Sequence, residues 1–248
     1  LDSPKLLASA HAASEETLDR VSVASHGKSG EYSKIKLIAF DLDGTLVRDR
    51  SSWRKVHEFF GTEAYGDEDL RKYERGEISY LQFMENDISR WPKGIKRSTI
   101  EKILSRCSIA KGARRLFSRL RERGIKTLII SSGLEPIASK VALVLKPDIW
   151  LANDLEVDEQ GFLTGRGILR VEPRRKGEVL SEVMRKLGLQ REDVMAVGDT
   201  RFDVGFLSVA GVSVALNPPT EDLETICKVV NFIISDLGDI EGILSILG

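Results

Sequence analysis

Cysteine and histidine are scarce in this chain: Cys107 and Cys227 are its two thiols, and His11, His26 and His57 its three imidazoles. Two thiols cannot build a disulfide framework or a four-thiolate zinc site. The histidines are scattered, two of them in the N-terminal stretch, so they give no basis for an imidazole-held zinc or copper centre. Excess charge of either sign is also missing. Lys and Arg number 37 against 38 Asp and Glu, a formal net charge of -1, so there is no basic footprint and no nucleic-acid partner is expected. The short run Arg174, Arg175, Lys176 reads as a solvated helix start. No uninterrupted apolar stretch approaches the length that spans a bilayer, and the N-terminus lacks a charged segment followed by a sustained apolar one. No membrane partner is expected, and the scarcity of thiols suits a reducing, cytoplasmic location. The first residue is Leu1, not Met, so a processed or trimmed start is the expectation.

What is present suits a soluble α/β domain with an insertion: 248 residues, 42% of them hydrophobic and 30% charged. Residues 1–33, rich in Ala, Ser and Glu, read as a mobile extension with one helix around Ser14 to Val21. Five apolar runs of strand length follow: Ile35 to Phe40, Thr127 to Ile130, Ile149 to Ala152, Val194 to Val197 and Val212 to Leu216. They are nearly continuous, not alternating, as strands covered on both faces are. Helical patterns over Ala113 to Arg123 and Gly177 to Leu187 separate some of them, with Gly124 and Gly188 as stops. That alternation predicts a parallel sheet with helices on both faces. About 85 residues part the first two runs, far more than a crossover needs. Ser51 and Ser52 can cap a helix carrying Trp53, Val56, Phe59 and Phe60 that ends at Gly61, and a second pattern runs from Ile78 to Trp91 before Pro92. The expected division is a core of residues 34–47 and 111–248 with a helical cap at 48–110. Leu155 to Thr164 reads as a hairpin turning at Glu159 to Gly161.

Open α/β sheets bind ligands beyond the carboxyl ends of their strands. Those ends carry Asp41-Leu42-Asp43-Gly44-Thr45, Ser131-Ser132-Gly133, and Gly198-Asp199-Thr200-Arg201-Phe202-Asp203. Carboxylates gathered on one edge repel unless a cation sits among them, and an incomplete set of hard oxygens suits Mg²⁺. Asp41 and Asp43 share a face at a strand end. One can attack phosphorus and the other can protonate a leaving oxygen and later activate water. Gly44 permits a sharp turn, and Thr45 offers a hydroxyl or amide. Asp43-Gly44 alone would also suit a hairpin turn. Ser131, with the amides around Gly133 and a helix beginning near Pro136, can cradle a phosphate, although a plain helix cap explains Ser131 in isolation. Lys176 can reach a phosphate and a nucleophile as a point charge.

Taken in order, Asp41-Leu42-Asp43-Gly44-Thr45, Ser131, Lys176, and Gly198-Asp199 with Asp203 resemble the four motifs of the haloacid dehalogenase superfamily of phosphohydrolases. The resemblance covers residues 35–248. It is strongest to the phosphoserine phosphatase branch, whose cap lies between the first two motifs. The segment Ala152 to Gly165 and the 23-residue step from Lys176 to Asp199 fit that branch. The resemblance implies a three-layer, doubly wound sheet with a small helical cap. It also implies a Mg²⁺-dependent phosphatase acting on a small phosphate monoester through an aspartyl phosphate. Asp41 would be the nucleophile and Asp43 the general acid/base. Asp41, Asp43 through its carbonyl, and Asp199 would hold the metal, with Asp203 in support. Ser131, Lys176, Ser132, Gly133 and Thr45 would bind the phosphoryl group.

Two departures bear on substrate. Phe202 stands where the branch usually has Asn. Arg50 falls where a Glu is expected to meet the ammonium of phosphoserine, and Asp87 where an Arg is expected to meet its carboxylate. A slipped alignment would give these roles to Asp49 and Arg90. The reversed charges predict weak selectivity for phosphoserine, with Arg50 contacting another small, anionic or sugar-like monoester. A dedicated phosphoserine phosphatase, a phosphotransferase and a silent binding module are the alternatives. No G-x-G-x-x-G follows the first strand, which disfavours a dinucleotide-dependent oxidoreductase.

Overall fold

The apolar runs form strands of one sheet in the computed structural model, which describes Ser22–Val23 and residues 35–247. In chain order the elements begin with β1 (Ser22–Val23) and β2 (Leu37–Phe40). Five helices follow, α1 (Ser52–Phe60), α2 (Glu63–Glu74), α3 (Tyr80–Arg90), α4 (Arg97–Leu104) and α5 (Ala113–Glu122). Next come β3 (Lys126–Leu134), α6 (Glu135–Leu145), β4 (Ile149–Val157), β5 (Leu163–Ile168), α7 (Lys176–Leu187), β6 (Val194–Gly198) and α8 (Val204–Val209). The chain closes with β7 (Val212–Leu216), α9 (Leu223–Ile226), β8 (Phe232–Ile234) and α10 (Asp239–Leu247).

The sheet has the order β1-β8-β7-β6-β2-β3-β4-β5. β2, β3, β4, β6, β7 and β8 pair in parallel, while β1 and β5 are antiparallel edges. β8 is a sixth parallel strand where five were expected; three residues are too few to stand out as a run. Ser22–Val23 pairs with it, and the helix expected at Ser14 to Val21 lies outside the described residues.

Each parallel strand is buried on both sides because alternate residues serve different layers. Ile38 and Phe40 join the core with Leu116, Phe117 of α5, Ile137 of α6 and Ile240 of α10. Leu37 and Ala39 face the other layer, with Leu180 and Val183 of α7 and Phe206 of α8. The expected hairpin is β4–β5, and it turns at Asp158 to Gly161.

Four helices, α1 to α4, fill the insertion between β2 and β3. α1 starts where Ser51 accepts a hydrogen bond from the Arg54 amide and stops at Gly61 in the left-handed conformation, as expected. α3 is entered through a reciprocal pair in which the Ser79 and Gln82 side chains each accept from the other's backbone N–H. The insertion carries its own aromatic core, with Trp53 edge-on to Phe83 at 5.8 Å and Tyr80 stacked on Phe83 at 5.1 Å. The β4–β5 hairpin packs under α3: a Cβ on Gly167 would fall 2.6 Å from the Met84 Cε.

Candidate active site

β2 sits at the centre of the sheet, so the loop at its carboxyl end is flanked by the carboxyl-terminal end of β3 and the loop after β6. These segments bring Asp41, Asp43, Ser131, Ser132, Gly133, Asp199 and Asp203 together, and the first turn of α7 adds Lys176. Asp41, Ser131, Lys176, Asp199 and Asp203 are all buried.

Lys176 Nζ donates to Asp41 Oδ1 and, at 2.8 Å, to Asp203 Oδ1. The other Asp203 oxygen accepts from the backbone amides of Asp199 and Thr200, each at 3.1 Å. Asp203 therefore stiffens the loop after β6 and aims Lys176 at Asp41. Gly198 makes room for this, since a Cβ there would lie 2.7 Å from the Asp203 side chain. Burial drives the Asp41 carboxyl up to about 7 against the pull of Lys176. Asp199 is pushed up to about 9, first by burial and then by Asp203 and Asp41, with Arg50 pulling the other way. Lys176 is shifted upward, because Asp203 and Asp41 outweigh its own burial.

Single oxygens of Asp41, Asp199 and Asp203 lie within 4.8 Å of one another, all buried. Three hard carboxylates on one small volume have the donor chemistry that Mg²⁺ takes. Gly44 at φ +86° lets the chain turn beneath them, where a Cβ would meet Asp199 Oδ2 at 2.1 Å. Asp43 does not join this cluster with its carboxylate. Its Oδ2 instead accepts from Ser52 Oγ at 2.6 Å and from the Ser52 amide at 2.7 Å. Burial raises the Asp43 carboxyl while the two Ser52 hydrogen bonds lower it.

Ser52 also accepts from the Leu134 amide at 2.9 Å, so one hydroxyl ties the insertion, the β2 loop and the end of β3 together. Gly133 fits only because it lacks a Cβ, which would fall 2.4 Å from both Asp43 Oδ2 and Ser52 Oγ. Its amide donates to Ser131 Oγ at 3.0 Å. The Ser132 carbonyl accepts from Tyr80 Oη at 2.7 Å, Asn153 Nδ2 at 2.9 Å and Trp53 Nε1 at 3.3 Å.

These groups open into a cavity of ≈ 220 Å³ between the sheet edge and α1 to α3. Asp41, Asp43, Ser131, Ser132, Gly133 and Lys176 line its floor. Thr45 is not brought to it; the residue is fully buried, with its hydroxyl directed to Asp199 Oδ1 at 3.5 Å. Arg50 reaches the cavity, but its guanidinium donates to Asp199 Oδ2 at 2.9 Å and to the Asn217 carbonyl at 3.0 Å. Phe202, at the position where the resemblance implies an amide, does line the cavity. Asp87 lies on the wall and is buried. Asp49 and Arg90 are not among the lining residues: Asp49 pairs with Lys55 at 3.1 Å and Arg90 stacks over Tyr65. Sequence reasoning missed Ser52, Tyr80 and His57. Only Ser52 left a signal, since one of two adjacent serines suffices to cap α1.

Comparisons with known proteins give the family and the fold. The family described as haloacid dehalogenase-like hydrolase matches residues 35–211. The chain belongs to that family. Within it, the chain falls in the phosphoserine phosphatase-like branch. It is 33% identical over 186 residues to a phosphoserine phosphatase of Archaeoglobus fulgidus, covering 73% of this chain and 52% of that one. A probable phosphoserine phosphatase of Schizosaccharomyces pombe is 29% identical, over 74% of this chain and 61% of its own length. This chain thus spans little more than half of those two relatives. A phosphoserine phosphatase of Methanocaldococcus jannaschii is 30% identical over 78% of this chain and 92% of its own. Among solved structures, a phospho-aspartyl intermediate analogue of phosphoserine phosphatase superposes with a TM-score of 0.71 at 26% identity, covering 84% of this chain and 98% of that one.

Proposed function

We propose that this chain is a Mg²⁺-dependent phosphatase of the phosphoserine phosphatase type, hydrolysing a small phosphate monoester through a phosphorylated Asp41. One observation carries the reading. Asp41 and Asp43, two residues apart, face one cavity in opposite surroundings, the first in contact with Lys176 and the second held by Ser52. Two carboxylates with different environments can take different roles. The relatives named phosphoserine phosphatase, and the solved phospho-aspartyl analogue, support the same chemistry.

In the first step an Asp41 oxygen bonds to phosphorus as the bond to the leaving oxygen breaks, and Asp43 gives that oxygen a proton. Burial of Asp43 favours the protonated form this requires. In the second step Asp43 takes a proton from water, whose oxygen displaces Asp41 from phosphorus. Lys176, Ser131 and the amides around Gly133 hold the phosphoryl oxygens in line, so the work is positioning and charge stabilisation. Asp41, Asp199 and the Asp43 carbonyl would hold Mg²⁺, with Asp203 orienting them from behind. When bound, the ion supplies positive charge to the phosphoryl oxygens. Residues 48–110 serve as a cap over the core of residues 34–47 and 111–248. No helix among the described residues is long and apolar enough to cross a membrane, and a cytoplasmic location suits the two unpaired thiols.

A screen of phosphate monoesters with and without Mg²⁺ tests the reading. Turnover is expected to vanish on chelation, to return with Mg²⁺ and to fall with Ca²⁺, whose larger, looser shell spoils an octahedral site. Undiminished rates in excess chelator would refute it.

A further inference from the structure

Beyond the catalytic floor the cavity is walled by α1, α2 and α3, and that wall carries a buried carboxylate with an oxygen to spare. This is Asp87, 1% exposed. His57 Nε2 stands 3.1 Å from Asp87 Oδ2 and pulls the carboxyl down, though burial still holds it raised, while Asp87 Oδ1 makes no hydrogen bond. His57 Nδ1 is held at 2.8 Å from Thr62 Oγ1, and α2 presses so close that a Cβ on Gly66 would lie 2.8 Å from His57 Cδ2. Asp69, also buried, adds a second negative charge near Asp87 and leaves one of its own oxygens unpartnered.

Neither arginine on the cavity wall answers this charge. Arg50 is engaged by Asp199 and Arg54 by Asp67. Between Asp87 and the floor the wall is aromatic, formed by Trp53, Tyr73, Tyr80 and Phe83. Tyr80 and Trp53 are pinned to the Ser132 carbonyl, so this wall is fixed relative to the phosphate-binding loop. A buried carboxylate with an oxygen to spare, beside aromatic side chains, is a receptor for an organic cation.

We propose that Asp87 and the aromatic wall form an ammonium subsite, so that the preferred substrate is an aminoalkyl phosphate lacking a carboxylate. The proposal rests on the phosphatase reading, which fixes the phosphoryl group on Asp41 and thereby sends the rest of the substrate up the cavity. At ≈ 220 Å³ the space is smaller than the roughly 300–1,000 Å³ of drug-sized pockets. A metabolite with a short chain between phosphate and amine fits that scale. Phosphoserine would bring the same amine together with a carboxylate, and the described walls offer that carboxylate neither a free guanidinium nor a free ammonium.

The test is kcat/KM for ω-aminoalkyl phosphates of graded chain length against matched alkyl and ω-carboxyalkyl phosphates, with L-phosphoserine and p-nitrophenyl phosphate alongside. The amine of best length is expected to exceed its alkyl counterpart by about tenfold or more, the scale of one charge-assisted hydrogen bond. The carboxylate is expected to fall below the alkyl ester. Asp87→Asn should reduce the amine-to-alkyl ratio by about tenfold, chiefly through KM. A merely structural role would lower both esters together and leave the ratio where it was. Hydrolysis of p-nitrophenyl phosphate with no advantage for the amine in the wild-type enzyme overturns the subsite and leaves the phosphatase reading standing. A preference for phosphoserine or for the carboxyalkyl esters overturns it equally. Failure to hydrolyse any ester refutes the phosphatase reading itself.

Discussion

Ser51 and Ser52 are adjacent and chemically identical, yet they serve different ends, and substituting each tests the roles assigned around them. Ser51 caps α1 through the Arg54 amide, so Ser51→Ala should cost about 1 kcal/mol of stability with turnover nearly unchanged. Ser52 donates its hydroxyl to Asp43 and accepts from the Leu134 amide. Ser52→Ala frees the Asp43 carboxylate and orphans a buried amide, so kcat should fall at least tenfold alongside a loss of about 1–3 kcal/mol. Steady-state rates and denaturant melts of the two variants check this. Equal kcat in both would detach Ser52 from Asp43's role. The sequence made Asp41, Asp43, Lys176 and Asp199 readable because their spacing matched strand ends and a known order of motifs. It could not make Ser52 readable as an Asp43 ligand, since its partner is defined by where α1 begins in space. The His57–Asp87 contact was hidden for the same reason: thirty positions separate the pair, as about eight helical turns would, and only helix packing closes the gap.

Among the elements, those with strong apolar periodicity were legible and those without it were not. α1 matched its expected cap and stop, and α3 its expected stop before Pro92. The insertion read as helical, but α2 was not resolved within it as a separate helix, because Glu63–Glu74 buries only Asp69 and Tyr73 and carries charge at seven of its twelve positions. β8 is three residues long and α4 eight, too short for a period to declare itself. The carboxyl-terminal end of β3 shows how closely elements meet at the site. Gly133→Ala would drive a methyl to within 2.4 Å of both Asp43 Oδ2 and Ser52 Oγ, with Ser131 Oγ at 3.1 Å. Overpacking of this kind costs roughly 1–3 kcal/mol. The larger loss should be in kcat, because the displaced atoms are the ones that position Asp43. Wild-type turnover in Gly133→Ala would contradict that packing.

At the scale of the whole molecule, burying several carboxylates at the sheet edge makes the metal part of the stability balance. Asp41 and Asp199 are raised from the usual 3.8 to about 7 and about 9, chiefly by burial. A carboxyl raised in the folded state binds its proton more tightly there than in the unfolded chain. Its stabilising contribution is therefore full below about pH 4 and is lost as pH rises through the folded-state values. The chelated protein should thus melt at a lower temperature at pH 8.5 than at pH 6. Mg²⁺ should restore more stability at the higher pH, where fewer protons compete for the ligands. Equal Mg²⁺-induced shifts in Tm at the two pH values would contradict it. The account stands or falls on the covalent bond at Asp41. Acid quenching during turnover of a phosphate monoester, followed by borohydride reduction and peptide mass spectrometry, reads that bond directly, because an aspartyl phosphate is reduced to homoserine. Homoserine at position 41, absent without substrate and absent in Asp41→Asn, is the predicted result. Steady turnover with Asp41 recovered unmodified, or with the label on another residue, would contradict it.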